Sequence, residues 1–172
     1  LAGCAVNRDG RAEASMGADL ADFDGDGDDD IFLTHLSSET NTLYVNDGHG
    51  IFDDRSARSG LGLPSRKWTG FGTAWFDLDN DGWLDLFVTN YLNWSPNTEM
   101  TCHGPQGGPD YCSPMTQSPL ADVLYRNDGN GTFTDISEAA GLQTVFGNGL
   151  GVVWADFDRS GTPDIFVAND KT

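Results

Sequence analysis

Apolar positions along this chain come in short runs, each bounded by Asp, Asn or Gly. Three nine-residue acidic segments align without gaps: DFDGDGDDD at 22–30, DLDNDGWLD at 77–85 and DFDRSGTPD at 156–164. An apolar triplet follows each one: Ile31-Phe32-Leu33, Leu86-Phe87-Val88 and Ile165-Phe166-Val167. A glycine stands five residues ahead of each, at Gly17, Gly72 and Gly151, with apolar stretches such as TAWF and VVWA in between. A second unit recurs at a constant offset of 81, where LYVNDGHGIFDDRSARSGL from Leu43 matches LYRNDGNGTFTDISEAAGL from Leu124. Asn-Asp-Gly between apolar segments signals a β-hairpin, because Gly and Asn tolerate positive φ. One repeat therefore predicts strand, acidic loop, strand, strand, NDG turn, strand and an SGL or AGL connector. That is a four-stranded antiparallel sheet of roughly 55 residues. Helical periodicity is absent except for one turn at 137–140.

The spacing of the repeats locates an insertion. From Asp22 to Asp77 is 55 residues, and from Asp77 to Asp156 is 79. The excess of 24 falls between Asn93 and Pro119, which hold Cys102, Cys112 and five of the seven prolines. It reads as a loop excursion added to the repeat. The expected repeats are about 16–61, 71–142 with the insert 93–119, and a partial one at 150–172, within a single incomplete domain spanning 1–172. Leu1-Ala2-Gly3 stands where later repeats carry Ser59-Gly60-Leu61 and Ala140-Gly141-Leu142, so the chain is expected to open on the tail of a preceding repeat. The sequence LAGC also fits a lipobox with Cys4 lipidated, but no apolar stretch precedes it.

Charge adds the chemistry. The 172 residues carry 23 Asp and 4 Glu against 9 basic residues, a net charge of −18, while a hydrophobic share of 38% suffices for a core. Such a surface repels phosphate backbones and argues against nucleic-acid partners. No apolar run reaches membrane-spanning length, so no membrane insertion by this segment is expected. With three His and no GxSxG, HExxH or P-loop, the chain is expected not to be an enzyme.

The Asp bias points instead to metal loops. Asp22, Asp24, Asp26 and Asp30 occupy positions 1, 3, 5 and 9 of the first loop, Gly27 permits the sharp turn, and Asp28 at position 7 offers its carbonyl. The second loop presents Asp77, Asp79, Asp81, Trp83 and Asp85 in the same places, and the third presents Asp156, Asp158, Ser160, Thr162 and Asp164. Four converging carboxylates make six repelling pairs, each about 4 kcal/mol at about 4 Å and an effective dielectric near 20. Spacing and screening lower that total, but it still outweighs a typical net stability of about 5–15 kcal/mol, so the loop calls for a cation. Hard oxygen ligands without His or Cys select Ca2+, up to three ions, one per loop. An EF-hand would need a bidentate Glu at position 12, where this chain has Leu33, Val88 and Val167. The third loop, with Ser160 and Pro163, is expected to be the weakest site.

These residues resemble the FG-GAP/VCBS repeat family of integrin α-subunit propellers and bacterial surface proteins. Phe71-Gly72 supplies the FG pair, with Met16-Gly17 and Leu150-Gly151 as variants, and the loops follow D-x-D-x-D-G-x-x-D apart from Ser160. The repeat wording is similar to ASPIC/UnbV-type, cartilage acidic protein-like repeat regions. The resemblance implies an all-β fold of β-propeller blades: about two and a half here, part of a propeller usually of seven blades. It places structural Ca2+ in the loop joining the first two strands of a blade. It implies an extracellular interaction or adhesion scaffold whose partners are the rest of the propeller and a protein or glycan at a cell surface or matrix. A lectin-like, carbohydrate-binding propeller is the alternative, and a polysaccharide lyase a lesser one, with Arg66, Lys67, His35 and His103 the only candidates for its chemistry.

Cys102 and Cys112 are expected to form a disulfide stapling the insert, with free thiols as the alternative and no CxxC or CxxCH spacing for zinc or haem. A disulfide and millimolar calcium favour an extracellular, cell-surface or periplasmic setting. Trp75 and Trp154 align and are expected in blade cores. Trp83 and Trp94 would either pack between blades or stack on a sugar or partner. His35, Asn90 and Asn169 hold equivalent strand ends, and Asn93-Trp94-Ser95 and Asn130-Gly131-Thr132 are glycosylation sequons.

Overall fold

A computed structural model describes residues 2–95 and 97–170. Leu1 of the expected connector, Pro96 of the insert and the last two positions of the third repeat lie outside the described residues. The first sheet is a meander of β1 (Ser15–Ala21), β2 (Asp30–His35), β3 (Thr42–Asn46) and β4 (Phe52–Asp54), antiparallel throughout. Two single-turn helices follow, α1 (Ser56–Ser59) and α2 (Gly62–Ser65). The second sheet repeats the order with β5 (Gly70–Phe76), β6 (Asp85–Asn90), β9 (Val123–Asn127) and β10 (Phe133–Asp135). Its insert leaves after β6 and returns before β9, carrying the short hairpin of β7 (Cys102–His103) and β8 (Pro109–Asp110). The last pair, β11 (Gly149–Ala155) and β12 (Asp164–Asn169), repeats the opening half of the unit. The fold is thus all-β, built of four-stranded antiparallel propeller blades.

The turn expected at 137–140 is present as a hydrogen-bonded turn, with Ala140 N donating to Ile136 O at 2.9 Å. The helical turns α1 and α2 lie outside that expectation. Asp54 Oδ1 accepts from the backbone N–H of Ser56 at 3.0 Å, and the Ser56 hydroxyl accepts from Leu43 N at 3.0 Å. Asp135 and Ser137 repeat both bonds in the second blade, at 2.9 and 3.0 Å. Each connector is thereby tied back to the third strand of its blade.

The first strands of successive units lie side by side, and the FG glycines mark where their backbones meet. A β-carbon on Gly17 would fall 1.8 Å from the Phe71 carbonyl oxygen, and one on Gly72 would fall 2.9 Å from Gly151 Cα. Thr34 Oγ1 donates to Phe71 O at 2.7 Å across the same junction. The cores lie between the blades. Phe23, Phe32, Leu43, Trp75, Leu86 and Phe133 fill the first, and Phe76, Phe87 and Leu124 fill the second against Val152, Ile165 and Val167. Strand β6 is buried at every position, because Leu86 and Val88 face one core and Phe87 the other. Two-sided burial explains why its sequence is a continuous apolar triplet and not an alternation.

Trp75 stacks on Phe23 and meets Phe133 of β10, both at ring-centroid distances of 5.8 Å. Its counterpart Trp154 departs from the expected core burial. It packs on Phe76 at 5.8 Å yet stays 47% exposed, against 6% for Trp75. The difference has a plain cause: among the described residues the β11–β12 pair has no fourth strand to supply the ring that Phe133 supplies to Trp75.

Candidate metal centre

Each acidic loop closes on itself through its first aspartate. Asp22 Oδ1 and Oδ2 accept from the N–H groups of Asp26 and Gly27, both at 3.0 Å. Asp77 does the same with Asp81 and Gly82 at 3.1 and 3.0 Å, and Asp156 with Ser160 and Gly161, both at 2.9 Å. The turn needs left-handed backbone at position 4 (Gly25, Asn80 and Arg159, φ 74°, 60° and 61°) and again at position 6 (Gly27, Gly82 and Gly161, φ 96°, 91° and 88°). Glycine at position 6 of all three loops avoids the steric cost that a side chain meets there.

This winding gathers carboxylates at positions 1, 3 and 9. Asp22, Asp24 and Asp30 form one triad, Asp77, Asp79 and Asp85 a second, and Asp156, Asp158 and Asp164 a third, with ligand oxygens all within 4.8 Å of one another in each. The position-5 side chains fall outside these triads and bond the backbone instead. Asp26 and Asp81 accept from the N–H of position 7 (Asp28, 3.0 Å; Trp83, 2.9 Å), and Ser160 accepts from Thr162 at 3.4 Å. Serine is therefore able to replace aspartate in the third loop without losing the turn.

The aspartate at position 9 has a second attachment. Asp30 Oδ1 accepts from Asn46 N at 2.8 Å, and Asp85 Oδ1 accepts from Asn127 N at 2.8 Å, so the loop is clamped to the end of the third strand. Asp85 Oδ2 also accepts from Leu78 N at 2.8 Å, and Asp164 Oδ2 from Phe157 N at 3.0 Å. The asparagines of the NDG turns are thus structural partners of the acidic loops. Asn127 further donates from Nδ2 to Phe23 O and Leu84 O, both at 3.1 Å, bridging to the neighbouring blade's loop. The expected positive φ lies on the following glycines, Gly48, Gly50, Gly129 and Gly131, and not on the asparagines. The signal for this role is the recurrence of Asn at the last position of the third strand in both complete repeats.

The donor set fits a hard divalent cation. Asp24 Oδ1 and Asp30 Oδ2 are buried with no hydrogen-bond partner, in the same triad. Burial pushes the Asp30 carboxyl up to about 6 against the opposing Asn46 N–H, and the charges of Asp24 and Asp26 add to the rise. Burial likewise raises Asp24 and Asp85. In the third loop Asp158 is instead held below its ordinary value, first by the Ser160 hydroxyl and then by the Ser160 N–H.

Of the other residues singled out, Cys102 and Cys112 form the expected disulfide, with Cα atoms 5.2 Å apart, and Cys4 is free. Trp83 lies between its own blade's turn, where a β-carbon on Gly129 would meet Trp83 Nε1 at 2.8 Å, and the first blade's acidic loop, where one on Gly25 would fall 3.7 Å from Trp83 Cζ3, in keeping with packing between blades. His35 is buried with its Nε2 3.6 Å from Glu13 Oε2, while Asn90 donates from Nδ2 to Ala121 O at 2.8 Å. His103 lies in the insert, and Arg66 Nε donates to Ser38 O at 3.2 Å.

The family described as FG-GAP-like repeat matches residues 22–88 and 107–167. Cartilage acidic protein 1 of Xenopus tropicalis is 24% identical over 202 aligned residues, which cover 90% of this chain and 31% of that protein. The proteins of the same name from Mus musculus and Homo sapiens are also 24% identical, covering 90% of this chain and 31% and 30% of their own lengths. The chain thus spans under a third of the length of these curated relatives.

Proposed function

Because this chain belongs to the FG-GAP-like repeat family, we propose that it is a calcium-stabilised propeller segment that acts as an extracellular interaction scaffold and not as an enzyme. The observation that carries the calcium reading is the pair of buried, unpartnered oxygens on Asp24 and Asp30, within a triad that recurs three times. The carboxylates of positions 1, 3 and 9 would hold the ion, with the carbonyls of Asp28, Trp83 and Thr162 as further oxygen donors. When bound, Ca2+ supplies the positive charge that relieves repulsion among carboxylates gathered this closely. The residues do the rest: position 1 winds the loop, and position 9 fastens it to the third strand.

The rest of a propeller is the first partner. Phe166 on β12 is 60% exposed, while the aligned Phe87 on β6 is 2% exposed in an inter-blade core. Val153 and Phe157 are exposed as well, which supports a further blade seated on that face. The Cys102–Cys112 bond supports an oxidising, extracellular location, and no helix among the described residues is long and apolar enough to cross a membrane.

Terbium luminescence tests the metal reading. Trp83 stands at position 7 of the second loop and is placed to sensitise a lanthanide bound there. A saturable signal, displaced by Ca2+ and lost in Asp77→Asn/Asp79→Asn, is the expected result. No signal, or one unaffected by that double substitution, would overturn the reading.

A further inference from the structure

The second blade differs from the first by its insert, and the metal loops make no use of it. Among its described residues the insert carries hairpin β7–β8, is pinned by the disulfide, and borders an open cleft of about 590 Å³. Trp94, Met100, Tyr111 and Pro114 supply its apolar lining. Its charged residues are Glu99 and Asp110, with no Lys or Arg among the residues that line it. Neither acid enters a salt bridge among the described residues. Tyr111 is 98% exposed, an unusual state for an aromatic ring beside a disulfide-fixed wall.

Charge complementarity selects the occupant. Aromatic faces present negative potential and two unneutralised carboxylates add full negative charge, so the cleft disfavours anions and rewards a cation with an apolar stem. A guanidinium meets both demands, because it stacks on an aromatic face and pairs with a carboxylate in one plane. We propose that the insert cleft binds an arginine side chain presented by a basic segment of a partner protein. The net charge of −18 draws such a segment in from a distance, and the cleft supplies the local recognition. The disulfide holds the walls in place, which limits the ordering cost of binding. This inference names the partner chemistry of the scaffold proposed above and rests on that reading.

The test uses the calcium-loaded chain at physiological salt and the capped tripeptide Ac-Gly-Arg-Gly-NH2, with its neutral citrulline analogue as control. Binding is followed by NMR at the Trp94 indole N–H and the Met100 methyl. The arginine peptide is expected to shift both resonances saturably, and citrulline to bind about tenfold more weakly. Glu99→Gln should weaken arginine binding about threefold, whereas Glu138→Gln, an exposed acid in the connector after β10, should not change it. Equal binding of both peptides would overturn the proposal. So would equal weakening by the two substitutions, which would reduce the effect to overall charge, or a response to neutral maltohexaose and not to arginine. A melting curve with and without chelator on the same sample separates the two readings. If calcium raises the midpoint and the peptide fails to bind, only the cleft proposal falls.

Discussion

Replacing Asp79 by Asn separates mutual repulsion of the carboxylates from their role as ligands, because the two effects have opposite signs. Asp79 is the exposed member of the second triad, beside half-buried Asp77 and buried Asp85, with oxygens within 4.8 Å. Two unit charges at that separation repel by about 3.5 kcal/mol at an effective dielectric near 20, and by about 0.9 kcal/mol in bulk water. Asparagine keeps an Oδ1 for the Asp81 N–H, a 3.3 Å bond in the native loop, and removes two of the three repelling pairs. The exposure of Asp79 sets the gain near the aqueous limit, about 2 kcal/mol. In chelator the midpoint should therefore rise by about 4–8 °C for a chain of this size. In calcium at about 1,000 times the dissociation constant, the lost site forfeits about 4 kcal/mol, and the midpoint should fall by a similar 4–8 °C. Paired thermal melts by circular dichroism read both values. A shift of the same sign under both conditions would refute the argument: a fall in both would mean that the empty triad is not strained, and a rise in both that the ion contributes nothing to stability.

Gly17→Ala should destabilise by about 3 kcal/mol or more, because its β-carbon has the Phe71 carbonyl in its way, whereas Gly151→Ala meets nothing within 4 Å and should stay within about 0.5 kcal/mol of the parent in denaturant titrations. Glu13→Ala leaves Asn7 Nδ2 without its 2.9 Å acceptor and the Thr42 hydroxyl with the Thr40 carbonyl at 3.4 Å in place of the carboxylate at 3.1 Å, so a loss of about 1–3 kcal/mol and faster proteolysis before β1 are expected. Asp122→Asn tests a half-buried charge: its carboxyl is pushed up to about 6 by desolvation, against the Asn90 N–H from which it accepts at 2.9 Å. The folded value lies above the unfolded one, so the native state holds more protons between about pH 4 and 6, and stability falls as pH rises through that window. In chelator the variant should match the parent near pH 3.5 and exceed it by about 1–3 kcal/mol above pH 6.5; a difference that does not change with pH would contradict this.

The strand order, the acidic loops, the NDG hairpins and the disulfide were all legible in the sequence, because repetition at fixed offsets turns weak local signals into strong ones. What lay beyond it depended on contacts distant along the chain. Asn127 reads as a turn residue until its side chain is seen reaching Phe23, 104 residues away. The helices α1 and α2 span four residues each, too few for any periodicity to declare them. The segment before β1 reads only as a connector at its first three residues, with no strand signal beyond them. Yet Val6 O accepts from the Tyr44 hydroxyl at 2.9 Å, and Ala2 O accepts from Phe52 N at 2.7 Å, so it lies along the outer strands of the first blade. At the loops, the spacing indicates that five positions matter, but only the folded turn distinguishes the carboxylates of positions 1, 3 and 9 from a position-5 side chain that serves the backbone.

The attachment of Asp30 to Asn46, and of Asp85 to Asn127, has a mechanical side. Tension applied to the outer hairpin by a bound neighbour would travel through those N–H bonds straight into the position-9 carboxylate, which would grip a bound cation. A filled loop would resist the pull and an empty one would yield, so the ambient calcium level would set how stiffly a blade passes load to the next.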